Sequence, residues 1–131
     1  CWSPDGRRVA TGSFDEAVRV FNAETGERAH LLKTGICLSA VAWSSDGRRL
    51  AAGGGLGKMR VWDTEAFELV HKLKARERDD GIISVAWSPD GRRLATGHDG
   101  GSVCLWDMEA GKRLCALEGH VGDVRSVCWS P

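Results

Sequence analysis

Apolar residues along this chain come in short runs cut by glycine, aspartate and proline. Ile83–Trp87, Leu94–Gly97 and Ser102–Trp106 are the clearest. Runs this short, rich in Val, Ala, Thr and Trp, predict strands rather than helices. Between the first two sits Pro89-Asp90-Gly91, in which proline presets the first corner of a type I turn and glycine takes the left-handed position after it. An antiparallel hairpin is therefore expected. Gly97–Gly101 reverses the chain again, giving a three-stranded meander that ends in Trp106-Asp107. The pattern recurs upstream. Trp2, Trp43, Trp87 and Trp129 fall 41, 44 and 42 residues apart, and Trp62 and Trp106 each follow by 19, with Phe21 in that place in the first repeat. The turn returns as Asp5-Gly6-Arg7-Arg8, Asp46-Gly47-Arg48-Arg49 and Asp90-Gly91-Arg92-Arg93.

A period near forty, with four strand signals and a terminal Trp-Asp in each repeat, marks a propeller blade. The Ser-Pro-Asp-Gly turns, the Ala-Thr-Gly strands, Val61-Trp62-Asp63, Leu105-Trp106-Asp107 and Gly119-His120 together resemble the WD-repeat β-propellers, over essentially the whole chain. The expected fold class is all-β, a partial β-propeller of about three four-stranded antiparallel blades, with repeats near 1–34, 35–77 and 78–119 and the start of a next blade at 120–131. Strands are predicted at Cys1-Trp2, Arg8–Gly12, Ala17–Asn22 and Ala29–Lys33; at Leu38–Trp43, Leu50–Gly53, Met59–Asp63 and Leu69–Lys74; and at Ile83–Trp87, Leu94–Gly97, Ser102–Asp107 and Arg113–Leu117. Val124–Trp129 is expected as the innermost strand of a fourth blade. Trp43, Trp62, Trp87 and Trp106 should be largely buried between blades. Propellers close with typically four to eight blades, so further blades or another copy would be needed to complete a ring.

The resemblance also implies a hydrogen-bonded tetrad of His, Ser/Thr, Asp and Trp in each blade. Thr11 and Asp15 fit in the first repeat and Trp62 in the second. Thr96 and Trp106 fit in the third, where Gly100 holds the Asp position and Asp99 stands one residue early. No repeat has all four, so rigidity is expected mainly from tryptophan packing and strand ladders.

Composition narrows the function. Net charge is zero, without the basic excess that marks a nucleic-acid partner, and no apolar run is long enough for a membrane span. The five cysteines, Cys1, Cys37, Cys104, Cys115 and Cys128, form no C-x-x-C pair and read as reduced thiols of a cytoplasmic protein. His30 and His71 fall on outer strands and His98 and His120 in loops, without shared register, so no metal site is expected. Gly53-Gly54-Gly55-Leu56-Gly57 lacks the Gly-Lys-Ser/Thr ending and the helix of a phosphate loop. No nucleophile or acid–base set stands out. Neither enzyme activity nor a cofactor is expected.

What remains is recognition. The loops Ser13–Glu16, Gly53–Lys58 and Gly97–Gly101 differ in chemistry while the Asp-Gly-Arg-Arg turns stay uniform, and variable loops on a rigid frame are where recognition is specified. The family resemblance implies a protein- or peptide-binding scaffold whose partner contacts Phe14, Leu56, Arg76, Asp99 and Asp123. The alternative is an anion-binding surface, for a phosphopeptide or anionic lipid, made of Arg7, Arg8, Arg48, Arg49, Arg92 and Arg93. The Phe-Arg-Arg-Gly of phosphoinositide-binding propellers is missing. So is the Arg two residues after Trp-Asp in ubiquitin-ligase receptors, where Glu65 and Glu109 stand. Glu24–Glu27, Glu65–Glu68 and Glu109 are expected at the arginine end, neutralising it.

Overall fold

The computed structural model describes residues 1–75 and 80–131. Among these residues eleven strands form three antiparallel sheets in which sequence neighbours pair. The first holds β1 (Arg8–Gly12), β2 (Ala17–Asn22) and β3 (Arg28–Lys33). The second holds β4 (Leu38–Trp43), β5 (Arg49–Gly54), β6 (Lys58–Asp63) and β7 (Leu69–Lys74). The third holds β8 (Ile82–Trp87), β9 (Arg93–His98), β10 (Val103–Asp107) and β11 (Lys112–Leu117). These are the predicted strands to within one residue at each end. A short 3-10 turn, Gly55–Gly57, is the one helical element among the described residues.

Two predicted strands are corrected. Cys1-Trp2 makes only an isolated bridge, Trp2 to Val9, so the first sheet has three strands. Trp2 is 62% exposed. Residues 124–129 make no ladder, because a strand there pairs with the one after it in the repeat and none follows within the 131 residues. The segment nevertheless lies where an innermost strand belongs. The Trp129 indole donates to the Ala86 carbonyl at 3.0 Å, as Trp87 donates to Ala42 at 3.0 Å.

The turns form by a repeated set of bonds. In each, the serine hydroxyl donates to the aspartate Oδ1 (Ser3–Asp5, Ser44–Asp46 and Ser88–Asp90, all 2.6 Å). The same oxygen accepts the N–H of the first arginine, and the serine Oγ accepts that of the second. Gly6, Gly47 and Gly91 have φ of 70°, 74° and 68°, the left-handed corner that glycine occupies without steric cost. A register shift recurs too, at Val20/Phe21, Val61/Trp62 and Leu105/Trp106.

The hydrophobic cores lie in the seams between sheets. Because side chains alternate across a strand, Leu50, Ala52 and Trp62 face the first sheet with Ala10, Val18, Val20, Ile36 and Leu38. Ala51, Met59 and Val61 face the third with Ile82, Trp87, Leu94, Trp106 and Met108. Trp62, Trp87 and Trp106 are 4%, 8% and 2% exposed. Trp43 is only half-buried, against expectation. One glycine per repeat permits close approach of the next repeat. A Cβ on Gly12 would sit 2.7 Å from Val41, on Gly53 2.8 Å from Ile82, and on Gly97 2.6 Å from the Val124 carbonyl.

Candidate functional site

The sequence-predicted contacts fall into two groups at the end carrying the β1–β2, β5–β6 and β9–β10 loops. The Ser13 carbonyl accepts the Leu38 N–H at 3.1 Å, and the Cys37 carbonyl accepts the Gly55 N–H at 3.0 Å. Cys37-Leu38 is thereby laced between the two loops that carry Phe14 and Leu56. Phe14 is 76% exposed and Leu56 46%. Leu56 also holds φ 60°, ψ 27°, a left-handed conformation rare for a bulky residue. Asp99 and Asp123, both exposed, lie on either side of the buried His98: Asp99 follows it in sequence, and the Val124 N–H beside Asp123 donates to the His98 carbonyl at 2.9 Å. Arg76 lies outside the described residues.

His98 is not a loop residue. It ends β9, is 1% exposed, and joins a bonded chain: the Trp106 indole N–H donates to Thr96 Oγ1 at 3.0 Å, and that hydroxyl lies 2.9 Å from His98 Nε2. His98 Nδ1 lies 3.4 Å from the Asp80 carbonyl. The Asp80 carboxylate occupies the space a side chain at Gly100 would fill. The third sheet therefore builds a tetrad-like link with a histidine from its own second strand, where residue-by-residue matching to the family pattern found none.

At the opposite end the six arginines divide. Arg8 lies over the Phe67 ring, 5.7 Å from its centroid, and Arg49 Nη1 donates to the Met108 carbonyl at 2.7 Å. Both brace a seam. Histidine reinforces each: His30 stacks on Phe67 with centroids 3.8 Å apart, and His71 Nε2 is 3.0 Å from the Met108 carbonyl. His30 and His71 thus share one register position, 41 residues apart like Trp2 and Trp43, which corrects the expectation that they did not. Desolvation, with the Arg8 charge, lowers the His30 pKa.

Arg7, Arg48, Arg92 and Arg93 are exposed. The acidic clusters do share their end, Glu65 lining one groove with Arg48 and Glu109 another with Arg48 and Arg92. Among the described residues the single ion pair is Arg19–Asp15, at 2.7 Å on the other end. Hydrogen bonds from the Ser3 hydroxyl and the Arg7 N–H hold Asp5 below the usual carboxylate range. Burial works against ionisation of Asp46, yet the Ser44 hydroxyl, the Arg48 N–H and the arginine charges outweigh it and hold that carboxyl low.

Matching the repeats by position would also have revealed a groove. Thr64 stands where the third repeat has Met108, and Pro4 where the second has Ser45. In the seam between second and third sheets, Met108 is fully buried and Ser45 bonds the Pro89 carbonyl at 2.6 Å. The groove left there is about 350 Å³. Between first and second sheets the smaller Thr64 leaves about 640 Å³, lined by Pro4, Trp43 and Thr64 with Asp5, Arg8, Asp46, Arg48, Asp63 and Glu65. The Trp43 indole turns to its own Gly47 carbonyl at 3.1 Å instead of bonding across the seam.

The family model described as WD domain, G-beta repeat, matches residues 1–22, 27–63, 67–107 and 111–131. The solved structure of U3-55K superposes with a TM-score of 0.90 at 19% identity, covering 98% of this chain and 41% of that one. The crystal structure of RRP9 WD40 repeats gives 0.90 at 19%, covering 98% and 40%. Likeness at that identity carries the fold, and the chain spans about two-fifths of the length of either structure. A search of curated proteins finds no match.

Proposed function

Because this chain belongs to the WD domain, G-beta repeat family, whose repeats generally act as non-catalytic protein-interaction scaffolds, we propose that it is itself such a scaffold and holds a protein or peptide partner at the end bearing Phe14, Leu56, Asp99 and Asp123. The observation that carries the reading is the pair of exposed apolar side chains, Phe14 and Leu56, on loops whose backbones are bonded to the adjacent residues Cys37 and Leu38. Apolar anchors on a fixed frame lose little freedom on binding. The left-handed Leu56 adds a local strain of the kind concentrated at recognition sites. Asp99 and Asp123 would set the polarity of what docks beside them.

The anion-binding alternative draws on the exposed Arg7, Arg48, Arg92 and Arg93, none of which forms an ion pair among the described residues. Against it, Arg8 and Arg49 are engaged in the seams, and four carboxylates line the larger groove at that end. A random-peptide display library selected on this chain separates the two. Selected peptides should lose roughly tenfold or more in affinity with Phe14→Ala or Leu56→Ala, the usual scale for an anchor, and be little changed by Arg48→Glu and Arg92→Glu. Loss confined to the arginine variants would place the partner at the other end and favour the anion.

A further inference from the structure

We propose that the groove between the first two sheets, at the Asp-Gly-Arg-Arg end, is a second binding site that takes an arginine or lysine side chain of a peptide. Three observations converge on this. The groove arises from a departure within the repeat: Met108 and Ser45 narrow the equivalent seam to about 350 Å³, whereas this one has Thr64 and Pro4. Its volume of about 640 Å³ lies within the roughly 300–1,000 Å³ of small-ligand pockets. Its wall is the half-buried Trp43, and a guanidinium or ammonium group is drawn to an indole face.

Charge selects the occupant. Asp5, Asp46, Asp63 and Glu65 face two arginines across the lining, and Arg8 is already held over Phe67. The turn bonds of Asp5, Asp46 and Asp63 all fall on Oδ1, leaving a second oxygen of each carboxylate. None of the four forms an ion pair among the described residues. An anion entering here would meet a carboxylate excess, whereas a cation would meet an aromatic wall and acceptors together. This site is independent of the Phe14–Leu56 end, and either stands if the other fails.

The test uses the 131-residue chain and four short capped peptides, Gly-Ala-X-Ala-Gly with X as Arg, Lys, Gln or Glu. Binding is read from the Trp43 indole N–H resonance, assigned by its loss in Trp43→Phe. The Arg and Lys peptides should shift that resonance to saturation, with the Gln and Glu peptides at least roughly tenfold weaker. Thr64→Met should narrow the groove, as Met108 does in the other seam, and abolish the shift. Should Thr64→Met lose its dispersed spectrum, Glu65→Lys at the exposed rim provides the same reading and should weaken the Arg peptide by a similar factor. Phe14→Ala and Asp99→Lys should leave the shift intact. The proposal is overturned if no peptide moves the resonance, if Gln matches Arg, or if the Glu peptide or inorganic phosphate moves it in preference to Arg.

Discussion

At the scale of single residues, the repeats differ in ways that assign separate tasks to equivalent positions. Gly26, Phe67 and Gly111 occupy one turn corner, each with positive φ of 73°, 53° and 64°. Where the corner is Phe67, His30 stacks on it. Where it is Gly111, the His71 ring passes over the glycine, its Nδ1 only 2.6 Å from the Cβ position, and reaches the Met108 carbonyl. Gly53 is held by the same logic of close approach. Gly53→Ala should cost about 1–3 kcal/mol, the overpacking range, because the new methyl would lie 2.8 Å from Ile82; the shift in urea midpoint checks it. Thr96→Val keeps the shape and removes the hydroxyl between Trp106 and His98. With buried polar groups deprived of a partner, the loss should again be about 1–3 kcal/mol. Thr11→Val, at an exposed hydroxyl with one long bond of 3.5 Å, should change the midpoint far less.

At the scale of elements, the seams respond to pH through groups whose shifts have known directions. His30 is lowered by desolvation and Arg8, so the fold favours its neutral form. Its contribution is present above about pH 6.5, the unperturbed histidine value, and is lost as pH falls through the folded value. Asp5 and Asp90 are held low chiefly by their serine hydroxyls and arginine N–H groups, and Asp46 is low despite its burial. Their contribution is present above roughly pH 3.9 and is lost below it as the carboxylates protonate. Stability should therefore fall in two stages on acidification. His30→Gln should remove the upper stage and leave the lower, as measured by urea midpoints from pH 7.5 to 3. An upper stage that survives His30→Gln would assign it to another group.

At the scale of the whole molecule, two seams carry the cores and the third sheet has a face only partly covered. Val124 packs on Gly97, and Trp129 bonds Ala86, over β8 and β9. Beyond them Val103 and Leu105 are half-buried and Leu117 is 52% exposed, where Met59 and Val61 of the second sheet are fully buried against the third. Exposed apolar sheet faces promote association. Sedimentation should show concentration-dependent oligomers of the 131-residue chain, reduced by Leu105→Lys and Leu117→Lys. A dilute-stable monomer unaffected by both would show that the face is not adhesive.

The sequence by itself determined the repeat, the strands and their turns, because each depends on neighbours a few residues apart: a proline and a glycine at an Asp-Gly turn, an apolar run between two breakers. It also placed Phe14 and Leu56 on loops of one end, since alternating hairpins leave loops alternately at two ends. What crosses a seam was decided by the tertiary structure. Whether Arg8 and Arg49 remain free or brace a neighbouring sheet depends on what the next repeat presents, Phe67 in one case and the Met108 carbonyl in the other. His98 becomes a buried partner of Thr96 because β9 continues one residue further than its glycine suggested. Trp43 and Trp87 share a repeat position, yet one lines a groove and the other is buried. Their surroundings differ through Thr64 and Met108, residues far from either tryptophan in sequence and adjacent only once the sheets pack.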